Sequence, residues 1–569
     1  MALRFVFSAT GATGGEELWI SDGTLEGTQL LKDLVTGNEG NPSGFAFLNG
    51  RVFFKAQDGD AERLWVTDGT KAGTMQIDLS DDGTEVTSIS DLSVVGNTLY
   101  FRAGTDLGDA EPWVSDGTAE GSMKLADIAP GDDSSFPFGF TALGSLAVFI
   151  ADDRMSGREP WVSDGTEGGT ERLADIFDGE DDSDPNDFTQ LGNKILFTAE
   201  DETLGRELWV TDGTPEGTML LKDIDPGGSS RPGDFVRVGD LVYFSADDGA
   251  NGDELWATDG TPEGTQLVND LNPEGSSFPF DLTPFNDGVI YTAFTEENGS
   301  EVFFTEWVDD AFVTTLLKDI VPGEESSEPR DFTVANGHVF FRAFTQDAGE
   351  ELWVSDGTEE GTELVKDINP GNDDSIDTEI EDLAAIGSSV VFSAFTPGLG
   401  TEVWISDGTE EGTTPLNIPD MRTNSAGITD LVATPNLLFF EAGNDMVGRE
   451  LFFSGGTEDG TGAIDFFAGA DDGLRPDGIT AFGNLVLFEG DDSTFGREPF
   501  VSDGTLEGTM RLADIREDFR SSNPGEFFAV NGFALFSADS DDEGQELWRT
   551  DGTPEGTFLL KNINPEDID

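Results

Sequence analysis

The chain has 569 residues, with 36% hydrophobic and 10% aromatic content, so it is long enough for several domains or a repeat array. Its 116 acidic residues against 29 basic ones give a formal charge of −87, which repels nucleic acid and anionic membranes and favours cations at an acidic surface. With no Cys and one His, disulfides, thiol catalysis and Cys-based zinc sites are excluded, and most His chemistry with them.

Read in chain order, one unit recurs from end to end. Its anchor, E-L-W-x-S/T-D-G-T-x-E-G-T, first occurs at Glu17–Leu18–Trp19 and returns around Trp65, Trp113, Trp161, Trp209, Trp256, Trp353, Trp404 and Trp548. Three further copies carry Phe303, Phe452 and Phe500 in place of Trp. The twelve anchors lie about 46 to 51 residues apart and tile the chain without a linker. The first repeat begins mid-unit with MALRFVFSATGATGG, which lacks the basic and long apolar regions of a signal peptide and reads as a strand of a mature fragment or trimmed chain. No apolar run approaches the ~20 residues of a membrane helix.

The sixth repeat, Gly233 to Pro273, displays a whole unit. Strand a is FVRV, followed by a tight turn at Gly239–Asp240. Strand b is LVYFSA, and an acidic, Gly-rich loop leads to strand c, ELWAT. The Asp259–Gly260–Thr261 turn then opens strand d, TQLVNDL. Short β-rich runs with Gly/Asn/Asp turns at this pitch predict four antiparallel strands, the size of a β-propeller blade. Recurrent Gly, Asp and Pro exclude a helical solenoid.

E-L-W-x-x-D-G-T-x-x-G-T, followed by L-L/V-K-D-I-x-P-G and S-S-x-P-x-x-F, resembles the bacterial ELWxxDGT repeat family over essentially the whole chain. The resemblance implies a propeller-like repeat protein that is secreted or surface-associated, without a defined activity. A looser similarity to the Asp-box of sialidase-type propellers differs in spacing and carries nothing catalytic over.

Later repeats depart from the pattern. The seventh replaces its turn with EWVDDAFVTT, Glu306 to Thr315, and the tenth has Ser454–Gly455–Gly456–Thr457. The strongest departure falls at the midpoint. The expected architecture is all-β, with twelve four-stranded blades in two tandem six-bladed propellers, residues 1–283 and 284–569. A single twelve-bladed ring is the alternative, and the missing linker favours it.

The recurrent side chains have structural readings. The Trp and Phe of the anchor are expected between neighbouring blades rather than as carbohydrate platforms. The D-G-T turn is expected to cap itself, leaving Glu216, Glu263 and Glu555 solvated. Arg158, Arg206, Arg449 and Arg497 of Gly-Arg-Glu are expected to pair with nearby acids, as are Lys32, Lys222, Lys318, Lys366 and Lys561 of Leu-Lys-Asp-Ile. His338 reads as an exposed turn residue, and Tyr100, Tyr243 and Tyr291 as core.

The b–c loops gather hard oxygen ligands among glycines: Asp58 and Asp60; Asp247, Asp248 and Asp253; and Asp541, Asp542 and Glu543. Ca²⁺ takes ~6 to 8 such oxygens in irregular geometry and is the candidate cofactor. A solvated, salt-adapted surface is the competing reading, since the Debye length shrinks to ~3 Å at 1 M salt.

An enzyme should collect unusual residues in one pocket, and no such set stands out. The expectation is therefore a non-enzymatic binding or scaffold propeller, extracellular or on the cell surface, for a protein or carbohydrate ligand. A high-salt cytoplasm is the other location. A carbohydrate-active hydrolase or lyase with carboxylates at a central channel, and a purely structural spacer, are the other functions. Any localised function is expected where copies differ.

Overall fold

The computed structural model describes every residue except 1–3, 12–14, 36–38, 60, 82, 106–107, 372–373, 377–382, 398–399, 417–428, 445–447, 456–459, 465, 467–472, 493, 517–518, 541–543 and 564–569. The protein is an all-β propeller assembly of twelve antiparallel blades in simple sequential strand order. Blade 1 has three strands and blades 2 to 12 have four. By backbone contacts the chain divides into two compact units, Met1–Pro279 with blades 1 to 6 and Phe280–Asp569 with blades 7 to 12.

Blade 6 shows how the sequence makes the sheet. Strand a is Gly233–Val238, b is Leu241–Asp247, c is Asp253–Thr258 and d is only Gln266–Leu267. Strand d is thus much shorter than the sequence reading, because the chain after Leu267 leaves the sheet to form the connector. Strands b and c are buried along almost their whole length, since blades pack against both of their faces. The registers Phe244↔Trp256 and Trp256↔Leu267 place the anchor Trp mid-sheet. Strand a breaks its ladder between Gly233 and Val236, with Asp234 at φ 55°, a bulge that turns the innermost strand. In the second unit such a bulge also joins blades: the carboxylate of Asp281 accepts the N–H of Asp331 in the next blade at 2.7 Å.

The aromatic anchor closes the seams between blades. Trp113 packs on Phe53, Leu64 and Val66 of the preceding blade, and Trp256 on Leu196 and Leu208. In the second unit Phe452 packs on Val403 and Ile405 in the same way. Each ring removes on the order of 150–250 Å² from water, which makes these seams the core. Lys32 and Lys366 depart from their expected role. They lie 5.5 and 5.6 Å from the ring centres of Trp65 and Trp404 in the next blade, and donate to the carbonyls of Thr74 and Thr413 at 2.9 and 2.7 Å. The Trp face and a fixed carbonyl hold the ammonium in the seam, so these lysines staple blades together.

The D-G-T turn caps itself as expected. Asp259 Oδ1 accepts from the Thr261 N–H at 2.8 Å and its hydroxyl at 2.6 Å, and Thr258 and Thr265 hydroxyls bond across the strand ends at 2.7 Å. The second Gly of the motif is required by space: a Cβ on Gly264 would sit 2.1 Å from Asp259 Oδ1. Glu216, Glu263 and Glu555 are exposed. Blade 7 replaces this turn by a long hairpin, Gly299–Val308 with Ala311–Lys318, whose Asp309 and Asp310 have φ 51° and 63°. Two positive φ values in a two-residue turn suit the twist of a hairpin. In blade 10, Ser454 keeps its 2.7 Å bond to Thr461, while Gly456 and Thr457 lie outside the described residues.

Candidate ligand-binding face

In a four-stranded meander, the b–c loop and the connector from strand d to the next blade emerge at the same end of the sheet. That end is organised by the Glu of E-L-W, which opens strand c. Glu111 is fully buried and accepts from the Ile128 N–H at 3.0 Å, the Ala129 N–H at 3.1 Å and the Ser135 hydroxyl at 2.6 Å. Glu159 repeats this with Ile176, Phe177 and Ser183 at 2.9, 3.2 and 2.8 Å. Glu498 repeats it with Ile515, Arg516 and Ser522 at 2.9, 3.4 and 2.8 Å. Loss of water pushes the carboxyls of Glu111, Glu159, Glu254, Glu301, Glu351 and Glu498 up to about 7, against hydrogen bonds that favour the charged form.

The Ser-Ser pair of the connector divides the work. Its first hydroxyl accepts the N–H of the residue before that Glu: Ser134 from Ala110 at 2.9 Å, Ser229 from Arg206 at 3.0 Å, Ser276 from Asp253 at 2.9 Å. Its second hydroxyl serves the buried Glu. The connector is therefore fixed along its length before it enters strand a.

In eight connectors, five of them with the Ser-Ser pair, the residue before a Pro stands in the left-handed region. The residues are Asn41, Phe136, Asp184, Arg231, Phe278, Glu328, Arg475 and Asn523, with φ between 41° and 47°. Non-Gly residues rarely adopt this conformation, and a following Pro restricts the backbone further. The surroundings enforce it: the N–H of Phe136, Arg231 and Phe278 donates to the carbonyls of Ala110, Arg206 and Asp253 at 3.3, 3.2 and 3.0 Å. The residues on either side are buried, whereas the pre-proline side chains are exposed, Asn41 only partly. Backbone geometry is constant here while side-chain chemistry changes from blade to blade. The sequence shows this only as a variable residue before a recurrent Pro, the x of S-S-x-P in five connectors.

In the first unit, at the start of blades 5 and 6, these positions border a shallow cavity of about 370 Å³ lined by Phe138, Asp184, Asp187, Arg206 and Arg231 among others. Arg206 donates to the Asp184 carbonyl at 3.0 Å and the Thr198 hydroxyl at 3.2 Å. Asp184 is paired with Arg158 at 3.0 Å, and Asp187 accepts from Thr198 at 3.2 Å. Arg231 is exposed, and among the described residues its guanidinium makes no ion pair or hydrogen bond.

Of the acids singled out in the b–c loops, Asp58, Asp247, Asp248 and Asp253 lie at this same end. Asp58 ends strand b of blade 2, opposite Ala61, while Asp60, Asp541, Asp542 and Glu543 lie outside the described residues. Asp247 and Asp253 face each other in the last rung of blade 6. Asp247 caps Gly249 at 2.8 Å, and Asp248 turns back on its own loop, accepting from Ala250 and Asn251 at 2.9 and 2.6 Å. Burial, then Asp247 and Asp234, raise the Asp253 carboxyl. Among the described residues no three acidic or His side chains converge as a metal would require.

Other expected roles sort simply. Arg449 and Arg497 pair with Glu441 and Glu489 of the neighbouring strand. His338 opens strand b of blade 8, half-buried rather than in the turn. Tyr100, Tyr243 and Tyr291 are fully buried, and burial pushes the Tyr100 hydroxyl up to about 12. Among the described residues, no helix is long and apolar enough to cross a membrane.

No family model and no curated protein matches the chain. Among solved structures it is similar to a tricorn protease at 13% identity and a TM-score of 0.23, covering 90% of this chain and 49% of that one. A structure from a study of two prolyl endopeptidases gives 12% and 0.26, with 64% and 54% covered. An acylaminoacyl peptidase from Pyrococcus horikoshii gives 12% and 0.23, with 61% and 57% covered. The chain thus spans about half the length of the structures it matches, and likeness at this level carries no argument about activity.

Proposed function

We propose that the chain is a non-enzymatic binding propeller whose ligand surface is the end of the blades carrying the connectors and b–c loops. One observation carries this reading: eight connectors hold polar, charged or aromatic side chains, seven exposed and Asn41 partly so, at one constant, strained backbone position. Strain of this kind costs ~1–3 kcal/mol per residue and persists only where the surroundings enforce it. A preorganised scaffold that varies only its presented side chain suits recognition, because little ordering cost is left for the bound state. The reading extends to a secreted or surface setting in salt, with Ca²⁺ as a counter-ion of the acidic loops.

The test is capture and turnover with the whole chain at high salt. Glycan and protein arrays are expected to return a ligand that is recovered unchanged. Robust hydrolysis or elimination of any glycan or peptide substrate would overturn the reading in favour of an enzyme. For Ca²⁺, calorimetry at low salt is expected to show a higher melting temperature with the ion than with chelator; equal temperatures remove it from the account.

A further inference from the structure

We propose that the cavity at the start of blades 5 and 6 is a subsite for a carboxylate-bearing saccharide of the uronate type, an inference that rests on the binding reading above. Arg231 points to the charge of the ligand. In a chain with 116 acidic residues against 29 basic ones, an exposed guanidinium should be captured by a carboxylate. The two acids that line the cavity with it are otherwise engaged, Asp184 by Arg158 at 3.0 Å and Asp187 by Thr198 at 3.2 Å. The planar fork of Arg231 is left available for a carboxylate, which it can bind through two parallel hydrogen bonds.

The other walls narrow the class. Phe138 is 39% exposed at the cavity and offers a ring face to the C–H side of a pyranose. Asp184 and Asp187 keep lone pairs that accept hydroxyl hydrogens, and the second Arg, Arg206, is anchored on the Asp184 carbonyl and the Thr198 hydroxyl. One carboxylate, several hydroxyls and an apolar ring face are together the chemistry of a uronate. A phosphate dianion would bring two charges beside Asp184 and Asp187 where a uronate brings one, and an acidic peptide backbone offers no pyranose face to Phe138. The volume, about 370 Å³, lies near the low end of the ~300–1,000 Å³ of small-ligand sites.

The experiment is titration calorimetry of the full chain with trigalacturonate, with galactotriose as the neutral match and with a short polyglutamate. The expected result is at least tenfold tighter binding of trigalacturonate than of either control. Arg231→Gln should abolish the preference for the acidic sugar, Arg231→Lys should restore part of it, and Phe138→Ala should weaken both sugars together. Lys71→Gln, in the exposed D-G-T turn of blade 2 at the other end of its sheet, should change nothing. Equal affinity for the two sugars, tighter binding of polyglutamate, or a preference untouched by Arg231→Gln would overturn the subsite. Such a failure, with another ligand captured on the arrays, leaves the binding reading standing; turnover of the sugar would overturn that reading instead.

Discussion

Blades 2 and 3 solve one problem with opposite charges. In blade 3 the residue two before the anchor Trp is Glu111, buried and surrounded by N–H and hydroxyl donors of the connector. In blade 2 it is Arg63, 8% exposed, which donates to the Val86 carbonyl and pairs with Glu85 at 2.8 Å. The connector has changed with it. Instead of a Ser-Ser pair it carries a small hairpin, Ser80–Asp81 with Thr84–Glu85, followed by the Val86 carbonyl that accepts from Arg63. What the fold demands at this place is a buried charge that grips the connector. Its sign follows from whether the connector presents donors or acceptors.

The largest effect that separates the two solutions is the response to pH. Six buried glutamates have carboxyls raised from the ordinary 4.5 to about 7, chiefly by burial. An acid whose pKa rises on folding binds more protons folded than unfolded. Stability is therefore greatest below the unfolded value and is lost as pH climbs through about 7. Thermal unfolding followed from pH 5 to pH 8 should show a falling melting temperature. Relief of general charge repulsion in acid has the same sign, so a control is needed. Glu111→Gln should flatten the slope, whereas Glu216→Gln, at an exposed turn, should leave it unchanged. Equal slopes for both would assign the effect to net charge and remove the buried glutamates from it.

Among single substitutions, Glu301→Ala should cost most. It strands the Ile320 and Val321 N–H groups, bonded at 3.1 Å each, and the Ser327 hydroxyl at 2.5 Å. Buried donors without partners cost ~1–3 kcal/mol each, so a loss on the order of 4 kcal/mol is expected in denaturant unfolding. A loss below ~1 kcal/mol would mean that water replaces the carboxylate, and that the grip on the connector is not what holds it.

These contrasts set the limits of what could be read from residues alone. The blade count, the antiparallel order and the seam position of Trp and Phe were legible, because aromatic spacing and D-G-T turns report local chemistry. The self-capping of Asp259 was legible for the same reason. The role of Glu111 was not: its carboxylate meets Ser135 only after the chain has crossed strand d, and among 116 acids nothing local marks it as buried. Lys32 was expected beside an acid and lies over Trp65 instead, since its partner belongs to the next blade. Arg231 and Phe138 could not be joined from sequence, as they come from connectors and strands of different repeats. Nor does acidic spacing reveal that Asp248 spends one oxygen on the N–H groups of its own loop.

Arg63→Glu tests the comparison from the other side. The new carboxylate would face the Val86 carbonyl and Glu85 with no hydroxyl to receive, in a site that offers acceptors. The expected cost is ~2–3 kcal/mol, from lost hydrogen bonds and a buried carboxylate left without donors beside Glu85. Replacing the hairpin segment 78–87 by the connector of blade 3 in the same variant should recover most of it. Recovery without the graft would show that the position tolerates either charge and that the connector does not choose the sign.

The finest test concerns the hydroxyl that distinguishes the donor connectors. Ser277 gives Glu254 both its N–H, at 2.9 Å, and its hydroxyl, at 2.5 Å. Ser277→Ala removes one of these donors and leaves the N–H and the Leu271 N–H, at 3.2 Å, in place. A charge-assisted bond of this kind is worth ~1.5–3 kcal/mol, and the surviving donors should reduce the net cost to about 1 kcal/mol. With fewer donors the Glu254 carboxyl, already raised to about 7, should also rise further, steepening the loss of stability between pH 6 and pH 8. A destabilisation independent of pH would mean that Ser277 packs rather than donates, and the sign rule drawn from blades 2 and 3 would then rest on the backbone N–H groups alone.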